Sequence, residues 1–488
     1  MESIDLVPQT DPASALDPAA VAALVRRVRG PVLLPGDDGY DAERSGFQLA
    51  RRHRPAVIVG ARSADDVAAA VAFAGDQGLP VAVQATGHGL SAVTDGGLLI
   101  STRRMSGVRV DAAAGTARVE AGAVWGRVVE AAAPHGLAPL NGSSPGVGVV
   151  SYTLGGGVGV LARTYGFAAD RVRSVDLVTA DARQLHVTAE GDPELFGALL
   201  GGGHGLGVVT AMEFALVPVA RLYGGQLVFA GEQLDRVLEA YLTWTDAVPD
   251  ELTSSVALIA YPDLPQLPEA LRGRYLVQIR IAYTGSAEEG ERLVAPLRAV
   301  GPRVSDDLRE MPYAESGTIH RDPSDPHAYD GDNALLGGLD AAALRRVAAL
   351  TGPAAPVMTV VQLNHLGGAL ARGGGAVGHR DARWALRLLS PLTGDDADAA
   401  LATVRALHAE ALAAVAPWRL GRSVNFLFGS HGQRPDAEDV ARSVHDAEEH
   451  RRLTELKAAH DPENLFRFHP AAAADRAPAT TAVPAVTH

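Results

Sequence analysis

His88 lies between two glycines at the point where one apolar run ends and another is about to begin. His88 follows the alternating run VAVQ and precedes GGLLIST, within residues 81–105. Such a histidine can be an ordinary turn residue that bonds to the backbone. It does not fit a zinc site, because positions 91–93 offer no second histidine or acid at ligand spacing. Flanking glycines let another molecule approach the backbone closely, so contact with a bound cofactor is the functional alternative.

Three glycine-rich segments could hold a phosphate-bearing cofactor through backbone amides. They are residues 85–91, 142–159 and 201–207. Amides converge on an anion where side chains are absent, although turns and close helix packing also require glycine. The run LGGGVG at 154–159 lacks the spacing of a dinucleotide-binding G-x-G-x-x-G motif and is not followed by Gly-Lys-Ser/Thr. The pattern therefore disfavours a Rossmann nucleotide site and a P-loop.

These segments resemble, in order, the flavin-binding signature of the berberine bridge enzyme-like proteins. These proteins are FAD-linked oxidases of the vanillyl-alcohol oxidase/p-cresol methylhydroxylase (PCMH) superfamily. The resemblance starts at LPGDDGYDAERSGF (35–47) and VAVQATGHGLS (81–91), and continues through SSPGVGVVSYTLGGGVGVLARTYGFAADRV (143–172). LLGGGHGLGVVTAMEFAL (199–216) and the stretch from SVNFLF to RFHP (423–470) complete it. It covers nearly the whole chain.

The resemblance implies that FAD is the cofactor and that His88 is joined to its 8α-methyl group. The family's second link, through a cysteine, falls on Ser144, and the chain contains no cysteine. A single histidyl link is therefore expected. The expected cofactor-binding residues are Gln84, Ala85, Thr86, Gly87, His88, Gly89, Leu90, Ser91, Ser144, Pro145, Gly148, Tyr152, Gly155, Gly156, Gly157, Gly159, Tyr165, Gly207, Val208, Val209, Asn425 and Phe426.

The catalytic base does not follow from the resemblance. Ser423 stands where many members have a tyrosine that serves as base, two residues before Asn425, the matched catalytic position. A serine hydroxyl carries no useful anion near neutral pH, so the middle of the chain must supply the base. The available residue types there are His365, Tyr261, Tyr313 and His320. Each of them also has an ordinary structural interpretation.

The middle of the chain predicts a substrate-binding sheet. In RYLVQIRIAYTG, Val277, Ile279, Ile281 and Tyr283 share one strand face, while Gln278 and Arg280 lie on the other. Gln278 and Arg280 could line a pocket or a solvated sheet face. Similarly, Gln362 and Asn364 share a face with His365 opposite, and residues 315–335 are predicted to form a loop or lid.

Length and local patterns predict an α+β fold. The resemblance implies a two-part PCMH-type FAD-binding domain and a substrate domain whose antiparallel sheet is backed by helices. The predicted boundaries are 1–217, 218–420, a C-terminal return to the FAD domain at 421–472 and a disordered tail at 473–488. Residues 63–78 predict a helix capped by Ser63, and residues 97–124 favour β-hairpins over parallel strands.

Composition and charge limit the classes of molecule that the protein is expected to bind. A net charge of −14 argues against nucleic acid and anionic membranes, and no stretch reaches the length of a membrane span. The N-terminus lacks a secretory signal pattern, so the expected location is cytoplasmic. The expected partners are a small-molecule substrate and dioxygen, no metal is expected, and the protein is expected to be a monomer or homodimer.

The predicted activity is an FAD-dependent oxidase that takes hydride from an alcohol, a sugar or a natural-product C–H bond and passes the electrons to dioxygen. Two alternatives remain open from the sequence. One is a flavin-dependent oxidative cyclase, and the other is an FAD-bound protein with no net redox role.

Overall fold

The computed structural model describes residues 16–90, 92–203, 205–265, 267–394, 396–428, 439 and 442–468. Ser91 and the predicted tail at 473–488 therefore lie outside the described residues. Within these ranges, no helix combines the length and apolar character needed to cross a bilayer.

The strands belong to three sheets. In chain order they are β1 Val32–Leu33, β2 Val57–Gly60, β3 Val81–Gln84, β4 Leu98–Ser101, β5 Val108–Asp111, β6 Thr116–Glu120, β7 Val172–Val178, β8 Gln184–Thr188, β9 Val208–Ala215, β10 Arg221–Ala230, β11 Leu252–Ala260, β12 Tyr275–Tyr283, β13 Ser305–Asp306, β14 Arg309–Pro312, β15 Tyr329–Leu336, β16 Val360–His365, β17 Trp384–Pro391 and β18 Arg419–Gly421.

The helices cover the sheets. In chain order they are α1 Pro18–Arg27, α2 Tyr40–Arg44, α3 Ala64–Asp76, α4 Trp125–Ala132, α5 Val149–Leu154, α6 Ala162–Tyr165, α7 Pro193–Leu199, α8 Leu234–Thr245, α9 Ala287–Arg298, α10 Ala341–Leu350, α11 Ala397–Ala413 and α12 Ala447–His460. Ser63 caps α3 by accepting a hydrogen bond from the Asp66 amide at 3.3 Å, as predicted.

The first sheet has the order β1-β2-β4-β3, in which β4 pairs parallel to both β2 and β3. The prediction of hairpins from residue 97 onward was therefore wrong for β4 and correct for the β5–β6 pair. All four β4 residues are buried, as befits a central parallel strand, and such a strand shows no alternation of polar and apolar residues. The chain returns late to this sheet, where Leu465 and Phe466 join its core.

The second sheet has the order β5-β6-β9-β7-β8. Its strands β7 and β8 form an antiparallel hairpin. The sheet packs against the second and third glycine segments through a core that includes Trp125, Val149 and Met212. It therefore supports the loops that face the candidate site.

The third sheet is the largest and is antiparallel, with the order β13-β10-β12-β11-β16-β17-β15-β18 and β14 paired to β10. Val277, Ile279, Ile281 and Tyr283 of β12 belong to the core beneath the helices α8–α11. This sheet backed by helices was predicted, and the opposite face carries the polar residues described below.

The predicted loop at 315–335 was partly wrong, because residues 329–336 form the buried strand β15. The sequence YDGDN resembles a turn, but its acids are neutralised inside the fold. Asp330 pairs with Arg405 at 3.1 Å and Asp332 pairs with Arg422 at 3.1 Å. A charge pair formed by residues far apart in sequence therefore overrides a local turn signal.

Candidate active site

The loop after β3, residues 85–90, is clamped by residues 46–48. Phe47 donates from its amide to the Thr86 carbonyl at 2.8 Å, and Gln48 donates to the Gly87 carbonyl at 3.0 Å. Gly87 has a φ of 68°, and a Cβ there would lie 2.7 Å from the Cα of Gly46. Both the conformation and the close approach therefore require glycine before His88.

The His88 side chain is fixed through one ring nitrogen and open at the other. Its Nδ1 lies 2.9 Å from Thr86 Oγ1, and its ring stacks on Phe47 with centroids 3.9 Å apart. The buried Nε2 has no hydrogen-bond partner. Burial lowers the pKa of His88 to about 4, with a further contribution from His327. The imidazole is therefore neutral near pH 7 and presents a free nitrogen.

The second glycine segment faces His88. A Cβ built on Gly146 would lie 3.7 Å from His88 Nε2 and 4.0 Å from Ser144 Oγ. His88 and Ser144, the two positions predicted to face the flavin, thus flank the same glycine. The buried Tyr152 hydroxyl of α5 also has no hydrogen-bond partner. An apolar core would not leave such atoms unpaired, so the cradle fits a polar cofactor.

Asn425 attaches the C-terminal segment to this cradle. Its Nδ2 donates to the Tyr152 carbonyl at 2.8 Å, and a Cβ on Gly155 would lie 1.9 Å from its Oδ1. Next to it, the Phe426 ring lies 4.1 Å from the guanidinium carbon of Arg387. This segment therefore joins the glycine cradle to the third sheet.

Several predicted cofactor glycines make close packing contacts in the structure. A Cβ on Gly157 would lie 2.4 Å from the Tyr152 ring, and one on Gly159 would lie 2.0 Å from the Asn141 carbonyl oxygen. A Cβ on Gly207 would lie 2.3 Å from the Leu177 side chain. Gly207 directly precedes the buried Val208 and Val209. Their proposed contact with the cofactor stays a prediction.

A cavity lies between the polar face of the third sheet and the loops of the first half of the chain. Its lining includes Ser143, Arg280, His320, Gln362, Asn364 and Arg387. A continuous hydrogen-bond chain crosses the sheet. Gln278 donates to Tyr261 at 2.9 Å, Arg280 donates to Gln278 at 3.0 Å and to Gln362 at 3.2 Å, and Gln362 donates to Asn364 at 3.0 Å.

His320 and Asp322 lie together beside the cavity. Burial lowers the pKa of His320 to about 3, and Arg280 lowers it further against the opposing effect of Asp322. Burial alone would raise the pKa of Asp322, but the surrounding cations and a hydrogen bond from the Ser143 hydroxyl hold it below its usual range. At neutral pH the site therefore contains a neutral imidazole next to a carboxylate.

Comparison with known proteins agrees with this geometry. Residues 55–188 match a family described as FAD binding domain. (R)-6-hydroxynicotine oxidase of Paenarthrobacter nicotinovorans is 31% identical over 299 residues, which cover 59% of this chain and 62% of that protein. An uncharacterized FAD-linked oxidoreductase of Bacillus subtilis, YgaK, is 27% identical over 61% of this chain and 65% of its own. The matched segments span less than two-thirds of these curated relatives.

Solved structures extend the likeness across the chain. The crystal structure of 6-hydroxy-D-nicotine oxidase from Arthrobacter nicotinovorans superimposes with a TM-score of 0.79 at 27% identity, covering 91% of this chain and 97% of that one. Berberine bridge enzyme from Eschscholzia californica has a TM-score of 0.77 at 20% identity, over 93% and 98% of the two chains, and shares the fold. The chain thus contains a match to an FAD binding domain and shares its fold with FAD-linked oxidases.

Two of the predicted bases are directed away from the cavity. His365 lies on the core face of β16, where its Nε2 is 3.1 Å from Arg163 Nη1 and its ring packs on Trp384. Tyr313 is buried and donates to Asn141 Oδ1 at 2.6 Å. Tyr261 ends the hydrogen-bond chain, while His320 lines the cavity itself.

Sequence reasoning missed Arg387, Asp322 and Ser143. Arg387 is a lone cation in the apolar strand WALRLLSP, whose register places it opposite Gln362 and Asn333. Its position between Leu386 and Leu388 of the core was an available signal for a polar inward face. Asp322 gave no such signal, because it lies in a segment rich in Asp and Pro.

Proposed function

We propose that this chain is an FAD-linked oxidase that removes hydride from a small-molecule C–H bond adjacent to oxygen or nitrogen, and that it reduces dioxygen to hydrogen peroxide. The observation that carries the proposal is the buried, unpartnered Nε2 of a neutral His88 on a glycine loop, close enough to Asp322 for that carboxylate to act on the His88 pKa. When bound, FAD supplies hydride acceptance at its N5 and electron transfer to dioxygen.

We further propose a single covalent link from His88 Nε2 to the flavin. With Nδ1 protonated and donating to Thr86 Oγ1, Nε2 carries the free lone pair, and it has no hydrogen-bond partner. Ser144 would contact the flavin without bonding to it. The glycine cradle, Tyr152, Asn425 and Phe426 would complete the binding surface.

His320 is the proposed base among the four sequence candidates. It lines the cavity, and its Nδ1 is buried without a hydrogen-bond partner. The carboxylate of Asp322 would stabilise the imidazolium formed when His320 accepts the substrate's O–H or N–H proton. Tyr313 has its hydroxyl proton engaged with Asn141, and His365 faces the core.

The test starts with the purified protein and needs no substrate. We expect a flavin absorbance spectrum, retention of the yellow colour after acid precipitation, and a flavinylated peptide that contains His88. A well-folded colourless protein that does not bind added FAD would refute the proposal. Flavin mapped to another residue would refute the assignment of the link.

Turnover is tested next with a panel of alcohols, sugars and amines, measured by anaerobic bleaching of the flavin and by peroxide release in air. Stoichiometric peroxide together with a product two hydrogens lighter supports the oxidase. A product with a new ring would identify an oxidative cyclase. Bound FAD that no compound reduces would identify a protein without a net redox role.

A further inference from the structure

The polar face of the third sheet carries more positive charge than the described residues neutralise. We infer that the cavity binds a substrate bearing one carboxylate, held by Arg387 and Arg280. This inference rests on the proposed function, because only an enzyme has a substrate. Binding of an anion at the site can nevertheless be tested without turnover.

The first support is the unused donors of the two arginines. Arg280 is 5% exposed and spends two donors on Gln278 and Gln362, while its Nε has no partner. The Arg387 guanidinium forms no hydrogen bond with a described residue, its buried Nε has no partner, and it lies over the Phe426 ring. A guanidinium has five N–H donors, and leaving them unsatisfied inside a protein is costly. A ligand acceptor in the cavity would satisfy them.

The second support is the charge count around the cavity. Arg280 and Arg387 are the cations, and Asp322 is the carboxylate that interacts with both. Burial lowers the pKa of Arg387 to about 10, so it stays protonated at neutral pH. His320 is neutral there, and burial raises the pKa of Tyr152 and Tyr329, which stay neutral as well. One positive charge is left without a counter-charge.

The third support is the match in shape and charge to a carboxylate. A guanidinium fork pairs with a planar carboxylate through two parallel hydrogen bonds. One carboxylate brings the count of charges to zero, whereas a phosphate dianion would overshoot it. The amides of Gln362 and Asn364 add neutral polar contacts on the same sheet face.

Binding of benzoate and of its neutral analogue benzamide to the purified FAD-containing protein, measured by isothermal titration calorimetry, tests this site. We expect benzoate to bind at least about tenfold more tightly, because charge-assisted hydrogen bonds are roughly twice as strong as neutral ones. Arg387→Met should remove most of this preference, and Arg387→Lys should keep part of it.

The matched control is Arg383→Met, one residue before β17, where the arginine pairs with Asp246 outside the cavity. It should leave both affinities unchanged. If Arg387→Met does not fold, Arg387→Gln takes its place with the same expected loss.

Equal affinities for benzoate and benzamide, or no measurable binding of benzoate, would overturn the inference. So would an Arg387 variant that shifts the flavin spectrum but keeps the benzoate preference, because that result would assign Arg387 to the cofactor. A colourless protein that still prefers benzoate would refute the oxidase proposal and leave the anion site standing.

Discussion

The loop that carries His88 and the sheet face that carries Arg280 and Arg387 both lie near Asp322 but are built by different means. The loop is fixed by backbone hydrogen bonds and by Gly46 and Gly87, which pack so closely that a Cβ on either would lie less than 3 Å from the other. The sheet face is fixed by strand register and by a chain of side-chain hydrogen bonds. The loop clamp joins Phe47 to Thr86, 39 positions apart, whereas the Arg280–Gln362 hydrogen bond of the sheet joins residues 82 positions apart. We therefore expect substitutions in the loop to affect the cofactor and those on the sheet to affect substrate and protons.

The largest expected effect is on the loop side. His88→Ala should abolish acid-stable flavin completely, because it removes the nitrogen proposed to form the link. The measurement is flavin fluorescence of the denatured protein after gel electrophoresis. His327→Ala is the matched control, since His327 also packs against Phe47 but does not lie on the glycine loop. Acid-stable flavin that persists in His88→Ala would show that the loop does not carry the attachment.

The next effect separates proton transfer from cofactor binding. His320→Ala should slow flavin reduction by about a hundredfold or more, as expected for loss of a general base, while flavin content stays unchanged. Stopped-flow bleaching with a substrate found in the panel measures it. The control is His365→Gln on the core face of β16, which should stay within a few-fold of the parent. A slow His365→Gln and a normal His320→Ala would reverse the assignment.

His365, on the core face of β16, is also expected to affect the stability of the protein. Burial lowers the pKa of His365 to about 3 from 6.5, with further contributions from Arg163 and Arg383. The unfolded chain therefore binds this proton first, and stability falls as the pH drops from 6.5 towards 3. At pH 4 the loss is at most about 3 kcal/mol.

His365→Gln should reduce this pH dependence, measured by urea unfolding at pH 7 and pH 4. The exposed His135→Gln serves as control and should unfold with the parent's pH dependence. If the parent and His365→Gln showed the same pH dependence of the free energy of unfolding, the expected contribution of His365 would be wrong.

The smallest effect on flavin reduction is predicted at Ser423, in the segment that joins the glycine cradle to the third sheet. The Ser423 amide donates to Asn333 Oδ1 at 2.7 Å, so the backbone holds this residue whatever its side chain. Ser423→Ala should leave flavin reduction within about tenfold of the parent, because a serine hydroxyl is a poor base. Loss of reduction in Ser423→Ala, with normal rates in the His320 and Tyr261 variants, would return the base to this position.

The sequence predicted those structural features that depend on residues close together in the chain. The position of His88 between glycines, the capping of α3 and the apolar face of β12 all follow from neighbouring residues. The pairing of β4 and the strand at 329–336 did not, because each depends on partners distant in sequence. The same reason explains the base candidates. Residue type placed His365 and His320 on equal terms, and only the sheet register and packing separate one on the core face from one at the cavity.

The late return of the chain to the first sheet has a consequence for biosynthesis. The Val81 amide of β3 donates to the Leu465 carbonyl at 2.9 Å, and Phe466 packs in the same core. The strand that leads to the His88 loop is therefore completed only after residues 465 and 466 have left the ribosome. Domains generally fold as units during synthesis, but this one lacks Leu465 and Phe466 until every strand of the third sheet has been synthesised. Flavin attachment is thus expected to follow translation, and ribosome-bound chains stalled at residue 460 should carry no acid-stable flavin.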